Sequence, residues 1–289
     1  MADPKRAHEA NVPGDLFVDS TCIDCPICRE AAPAIFGDGP DQAIVVRQPS
    51  TPDERLRAAV ALVSCPAGSI GSRTGIDVEA AIERLPEPIA DGVHWCGFAS
   101  KRSYGAQSYF IRRDGGNVLV DSPRFAGPLA RKLEALGGVR FIVLTHQDDV
   151  ADHERFRRAF CAERILHASE ARGPLASVER KLEGSGPWAL APDLEILATP
   201  GHTRGHTTLL YRDEYLFTGD HLYADDGRLS ASRRFNWYSW EEQLRSIEKL
   251  LDRSFTWVLP GHGSRFHASR EAMREELRAC LSRLRAANS

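Results

Sequence analysis

The chain has 289 residues, 42% of them hydrophobic, and carries 37 Lys and Arg against 40 Asp and Glu for a net charge of −3. This excludes fibrous and disordered classes and leaves room for one large domain, or for an ordinary domain with a small companion. The charge balance argues against a nucleic-acid or anionic-membrane partner, no apolar run reaches the ~18 residues of a membrane span, and MADPKRAHEANVPGDLF lacks the apolar centre of a secretion signal. A cytoplasmic protein is expected.

In chain order, a strand-like LFVD precedes CIDCPIC, in which Cys22, Cys25 and Cys28 form C-x2-C-x2-C; an AAPAIF turn follows, then a helix from about Thr51 to Val63, then Cys65-Pro66 in SCPAGSI. Soft thiolates packed in a short loop suit an iron–sulfur cluster or structural zinc. Zinc sites usually pair two C-x2-C knuckles, whereas the fourth thiol here is single and precedes proline, which favours iron–sulfur. Residues 15–71 resemble the single-cluster bacterial ferredoxins, and the resemblance implies one 4Fe-4S cluster on Cys22, Cys25, Cys28 and Cys65. Cys96, Cys161 and Cys280 read as free buried thiols.

Residues 76–91, polar and bearing Pro86 and Pro88, read as a linker with one short helix between a module at 1–75 and a domain at 92–289. In the second domain, SYFIRR and NVLVDS are strands joined by an Asp114-Gly115-Gly116 hairpin, PLARKLEALGG is a helix, and FIVLT is a strand followed by a helix from about Val150 to Phe160. RILHAS, LEILAT, HTTLLYRD and EYLFTG are strand-like. A helix at 240–252, the strand TWVLP and an amphipathic helix at 269–287 complete a mixed α/β layer pattern.

Histidines and aspartates gather where these strands end. FIVLTHQDDVADH carries His146, Asp148, Asp149, Asp152 and His153; ATPGHTRGH carries His202 and His206; LFTGDH carries Asp220; VLPGHG carries His262. Each loop has an ordinary reading by itself, such as Asp152 charging a helix start or His206 and His221 as satisfied loop histidines. Four in succession are different, because packing does not demand a ligand residue at every strand exit. Imidazoles and carboxylates on convergent loops suit two zinc, iron or manganese ions sharing a bridge.

Across about residues 92–265 this set resembles the metallo-β-lactamase superfamily, on LVDS at Asp121, T-H-x-D...D-H, P-G-H-T-x-G-H, T-G-D and P-G-H-G. The resemblance implies an αββα sandwich with the site at one edge. It implies a first metal on His146, Asp148 and His202, a second on Asp152, His153 and His262, and Asp220 as the bridge, with Asp121 supporting without ligation. The family's H-x-H-x-D-H is altered here: Asp148 replaces the second histidine, two extra residues precede Asp152, and either Asp148 or Asp149 could ligate, Asp148 keeping the spacing. The added carboxylate makes iron or manganese more plausible.

The expected function is hydrolysis of a small-molecule ester, thioester, lactone or lactam by a metal-activated hydroxide, with Asp152 orienting the nucleophile and moving a proton. A carboxylate in place of the histidine is also a feature of the flavodiiron branch, so the alternative is diiron redox chemistry fed by the chain's own ferredoxin module or an external redox partner. Arg204, His206, Tyr223 and FNWYSW at 235–240 are pocket candidates, although core packing is the ordinary reading of the aromatics.

Overall fold

In the strands Leu194–Ala198, Thr207–Tyr211, Tyr215–Gly219 and Trp257–Pro260, successive side chains enter two different cores. Leu194, Ile196, Leu209, Tyr211, Tyr215, Phe217 and Leu259 join one, while Leu197, Leu210, Leu216 and Val258 join the other. Side chains alternate between faces along a strand, so both faces of this sheet are apolar and both must be covered. The computed structural model describes residues 2–287 and covers one face with a second sheet and the other with helices.

Among the described residues there are seven α-helices: α1 (Ile27–Ala31), α2 (Pro52–Ser64), α3 (Glu79–Arg84), α4 (Gly127–Ala135), α5 (His153–Phe160), α6 (Trp240–Lys249) and α7 (Arg270–Ala286). The seven-stranded sheet runs Arg180–Leu182, Glu163–His167, Phe141–Val143, Val118–Val120, Tyr109–Ile111, Val93–Trp95, Glu87–Ala90. Its first four strands are parallel, and parallel neighbours need crossover connections, which α4, α5 and the 3-10 turn Gly173–Ser177 supply. The facing sheet has six strands, from Trp188–Ala191 at one edge to Phe266–His267 at the other. Tyr109 and Phe217 meet between the sheets with ring centres 5.4 Å apart, while Ile247 of α6 and Met273 and Leu277 of α7 close the outer core. The fold is the expected αββα sandwich behind a small ferredoxin-like region.

In that N-terminal region, Leu16–Val18 pairs with Ile70–Ser72 and Phe36–Asp38 with Ala43–Val45. α2 starts where the sequence says it must: Thr51 Oγ1 accepts from Glu54 N, Glu54 returns a carboxylate to Thr51 N, and Pro52 occupies the first helical position. The segment 76–91 is not a free linker. Glu87–Ala90 is the edge strand of the seven-stranded sheet, and Glu87 pairs with Arg57 of α2 at 2.8 Å. Ala58, Val60 and Leu85 belong to the same continuous core as Val118 and Leu209, so the two parts share one interior.

Cys96 and Cys280 are buried as expected. Cys161 is exposed, because it sits in the left-handed conformation (φ +51) that ends α5 and turns the chain outward. No helix among the described residues is long and apolar enough to cross a membrane.

Candidate metal centres

Tyr215–Gly219 and Trp257–Pro260 are parallel neighbours, so the loops bearing Asp220 and His262 leave on the same edge. Val118–Val120 and Phe141–Val143 are also parallel and deliver Asp121 and His146 together. His202 arrives on the loop after Leu194–Ala198.

His146 Nε2 is 3.8 Å and His202 Nε2 3.6 Å from Asp220 Oδ2, and Asp148 Oδ2 lies 3.9 Å from both imidazole nitrogens. Beside them, His262 Nε2 is 3.8 Å from Asp220 Oδ2 and 3.8 Å from Asp149 Oδ1. These gaps are too long for hydrogen bonds. They approach the ~3.4 Å that separates two ligands each ~2.1 Å from one tetrahedral ion. The ligand atoms of His146, His202 and Asp220, and those of Asp149, Asp220 and His262, form two groups, each within 4.8 Å, that share Asp220.

Buried polar atoms are nearly always partnered, yet His146 Nε2, His202 Nε2, Asp149 Oδ2 and Asp220 Oδ1 have no hydrogen-bond partner among the described residues. Two imidazole nitrogens and two carboxylate oxygens left without partners at one place fit a pair of cations. The electrostatics agree: burial, then the Asp220 charge, push the Asp149 carboxyl up to about 7. Burial opposes the charged form of His262, but Asp220 and then Asp149 outweigh it and hold the ring up at about 9. Protons thus take the place of positive charge that a metal would supply, and would leave as it binds.

The neighbouring shell sets the donor atoms. Asp121, buried and at φ +55, accepts from Thr145 N at 2.8 Å and from Thr145 Oγ1 at 3.0 Å. With its proton given to Asp121, the Thr145 hydroxyl accepts His146 Nδ1–H at 3.0 Å, leaving the Nε2 lone pair free to face Asp220. Gly261 lets the His262 loop pass close: a Cβ there would lie 2.7 Å from Asp149 Oδ2 and 2.8 Å from Asp220 Oδ1.

Asp152 and His153 are not brought to this place, which corrects their expected role as ligands and that of Asp152 as the catalytic group. Asp152 accepts from Phe125 N at 2.8 Å and faces Arg102 Nη1 at 3.2 Å. His153 opens α5 and directs Nδ1 to Arg164 Nη1 at 3.3 Å. The loop is two residues longer, neither Asp152 nor His153 belongs to the two groups, and Asp149, next to Asp148, faces His262 instead. Its signal in sequence was the doubled aspartate after His146.

Of the other pocket candidates, His206 is buried, with Nδ1 3.0 Å from Thr199 Oγ1 and its ring 5.2 Å from that of His146. The aromatics at 235–238 are not core: Phe235, Trp237 and Tyr238 are 52, 65 and 50% exposed. Trp237 N donates to His202 O at 2.8 Å and its ring stands edge-on to the His202 imidazole at 6.5 Å, so this loop rims the centre. Arg204 is exposed, and Tyr223 lies against Gly263 beside His262.

Cys22, Cys25, Cys28 and Cys65 line one apolar cavity with Val18, Ile27 and Pro66. Burial drives the Cys25 thiol up to about 12 and that of Cys28 higher still, so neither would ionise there without a metal to take the charge. Asp24 N and Ser69 N each point at a thiol sulfur, Cys22 Sγ and Cys65 Sγ, at 3.4 Å. Backbone donors aimed at sulfur inside an apolar shell fit a thiolate-held cluster.

Residues 18–72 match the family model described as 4Fe-4S single cluster domain of Ferredoxin I, and residues 104–262 match that of the Metallo-beta-lactamase superfamily. A hydroxyacylglutathione hydrolase of Stenotrophomonas maltophilia (strain R551-3) is 36% identical over 118 residues, 39% of this chain and 44% of that protein. Another, of Methylobacillus flagellatus, is 34% identical over 140 residues, 46% of this chain and 54% of that protein. The chain thus spans about half the length of the curated relatives it matches. Among solved structures, the BLEG-1 B3 metallo-beta-lactamase superimposes with a TM-score of 0.51 at 20% identity, covering 61% of this chain and 93% of that one. That likeness is one of fold.

Proposed function

The chain belongs to the metallo-beta-lactamase superfamily, and from that premise we propose that it is a dinuclear metallo-hydrolase acting on small-molecule thioesters, joined to a 4Fe-4S module. The carrying observation is the pair of ligand groups sharing Asp220, with their orphaned buried donor atoms. His146, His202, Asp148 and Asp220 would hold the first ion, and Asp149, His262 and Asp220 the second. Bound there, the ions would supply an activated hydroxide near neutral pH and polarise the scissile carbonyl.

The chain's own residues do the rest. Asp121 and Thr145 fix the imidazole tautomer of His146. Trp237 and its exposed neighbours offer an apolar wall for the acyl group beside His202. Asp152, tied to Phe125 and Arg102, is not free to protonate a leaving group, which favours a leaving group that needs none. A thiolate, whose acid form has a pKa near 8.5, meets that condition far better than an alkoxide or amide nitrogen. Relatives named hydroxyacylglutathione hydrolase, matched over about half of their length, agree in direction. The seven cysteines are all unpaired, which suits a reducing compartment such as the cytoplasm.

A second reading, redox chemistry at a diiron pair fed by the cluster, draws on one observation: three carboxylates, Asp148, Asp149 and Asp220, face three imidazoles, a donor set harder than zinc usually takes. The test is a thioester panel, including 2-hydroxyacyl thioesters of glutathione, given to the metal-loaded full chain. Cleavage that releases free thiol supports hydrolysis. An inert panel, with oxygen consumed by the reduced protein, supports the second reading.

A further inference from the structure

The loop that carries His262 is held from two sides, by a segment that packs on the cluster thiol Cys25 and by the short helix that follows Cys28. On one side Gly105, at φ +86, lies so close to Cys25 that a Cβ would stand 2.7 Å from Cys25 Cβ and 2.9 Å from its Sγ. Two residues on, Gln107 N donates to Gly261 O at 2.7 Å and Gln107 Nε2 to Gly263 O at 2.9 Å, gripping the chain before and after His262. Two residues of backbone span at most roughly 7 Å. On the other side Glu30, two positions past Cys28 in α1, accepts a hydrogen bond from Ser264 Oγ. Gly261 in turn lies against Asp149 and Asp220.

We propose that these contacts link the two metal centres, so that an electron placed on the cluster tightens cation binding at the Asp149–Asp220–His262 position, and a cation there makes the cluster easier to reduce. The inference rests on the cluster and dinuclear readings above. Its sign is electrostatic, since reduction adds one negative charge to the cluster and that charge favours a divalent ion; its size depends on the hydrogen bonds to Gly261, Gly263 and Ser264, which fix the place of the His262 loop relative to the cluster. Its reciprocity is thermodynamic, since each centre must change the other by the same factor. One electron enters from a low-potential donor, dithionite in the test, and resides on the cluster; the ion, zinc, exchanges none.

The experiment is an electron-paramagnetic-resonance-monitored titration of the full chain with dithionite, with and without zinc. A tenfold link raises the cluster potential on zinc loading by about 59 mV for a one-electron couple. Gln107→Ala and Glu30→Ala, each freeing one grip on the His262 loop, cut that rise by half or more at the same zinc concentration. Iron and zinc counts on the same samples separate this link from the reading beneath it. With four irons and two zincs bound, a potential unmoved by zinc overturns the link alone, as does a full rise retained in both variants.

Discussion

Asp220 is the residue on which the two ligand groups meet, and the side chains around it differ in what their loss should do. Asp149 is buried with one carboxylate oxygen unpartnered, whereas Asp152 is already engaged by Phe125 and Arg102. Asp149→Asn is therefore expected to lower the metal content outside the cluster from two ions to one, and Asp152→Asn to leave it at two, read by metal analysis of cluster-loaded protein. Asp121→Ala withdraws the acceptor that orders Thr145 and His146, and is expected to weaken binding at the first position by about 10- to 100-fold in a zinc competition titration. Much of this was legible in sequence: His146, His202, Asp220 and His262 each stand within four residues of the end of an apolar strand, and the structure gathers all four. Asp152 and His153 misled because their residue types fit the family's pattern while their spacing did not. A loop two residues longer has its own path, and that path is set by contacts with Arg102 and Phe125, remote in sequence, and with Arg164 on the next strand.

At the level of elements, Arg164 explains how α5 is held away from the centre. Its side chain is 2% exposed and binds Glu179 through Nε and Nη2 at 2.9 Å each, Glu154 at 2.5 Å and Ser177 O at 2.7 Å, bracing α5 against the strand Glu163–His167. Burial alone would raise the Glu179 carboxyl, but Arg164 overrides it and holds the group down at about 2. A carboxylate whose folded pKa is depressed stabilises the fold above its unfolded value of about 4.3, and that contribution is lost as pH falls toward 2. Glu179→Gln is expected to cost about 2 kcal/mol at pH 7, below the value for a fully buried pair because Glu179 is 30% exposed. The check is the urea midpoint at unchanged slope, with the gap to the unaltered protein narrowing between pH 4.5 and 2. Helices and strands were readable because propensity and caps agree, as at Thr51 and Glu54 of α2. α5 was placed three residues early because its apolar pattern continues through Val150, while the backbone at Ala151, φ +25, is not helical.

Across the whole molecule, the cluster-bearing region and the sandwich share one core running from Leu16 and Ala58 through Leu85 to Leu209. A scan of the cluster-loaded chain is expected to show one cooperative unfolding transition, and two well-separated transitions would contradict the shared core. Composition alone could not reveal this. Pro86 and Pro88 made 76–91 look like a linker, but proline is tolerated in an edge strand, and Glu87–Ala90 is one. Nor could spacing show that Gly105 and Glu30 reach the other part of the chain, since both contacts join segments remote in sequence.

The proposed centre holds two ions that share Asp220, one with His146 and His202 and the other with Asp149 and His262. Anomalous diffraction from crystals of the metal-loaded protein tests it most directly. Two peaks about 3.5–4 Å apart are expected, both within bonding distance of Asp220, the second touching Asp149 and not Asp152 or His153. A single peak, or a second ion held by Asp152 and His153, would contradict it.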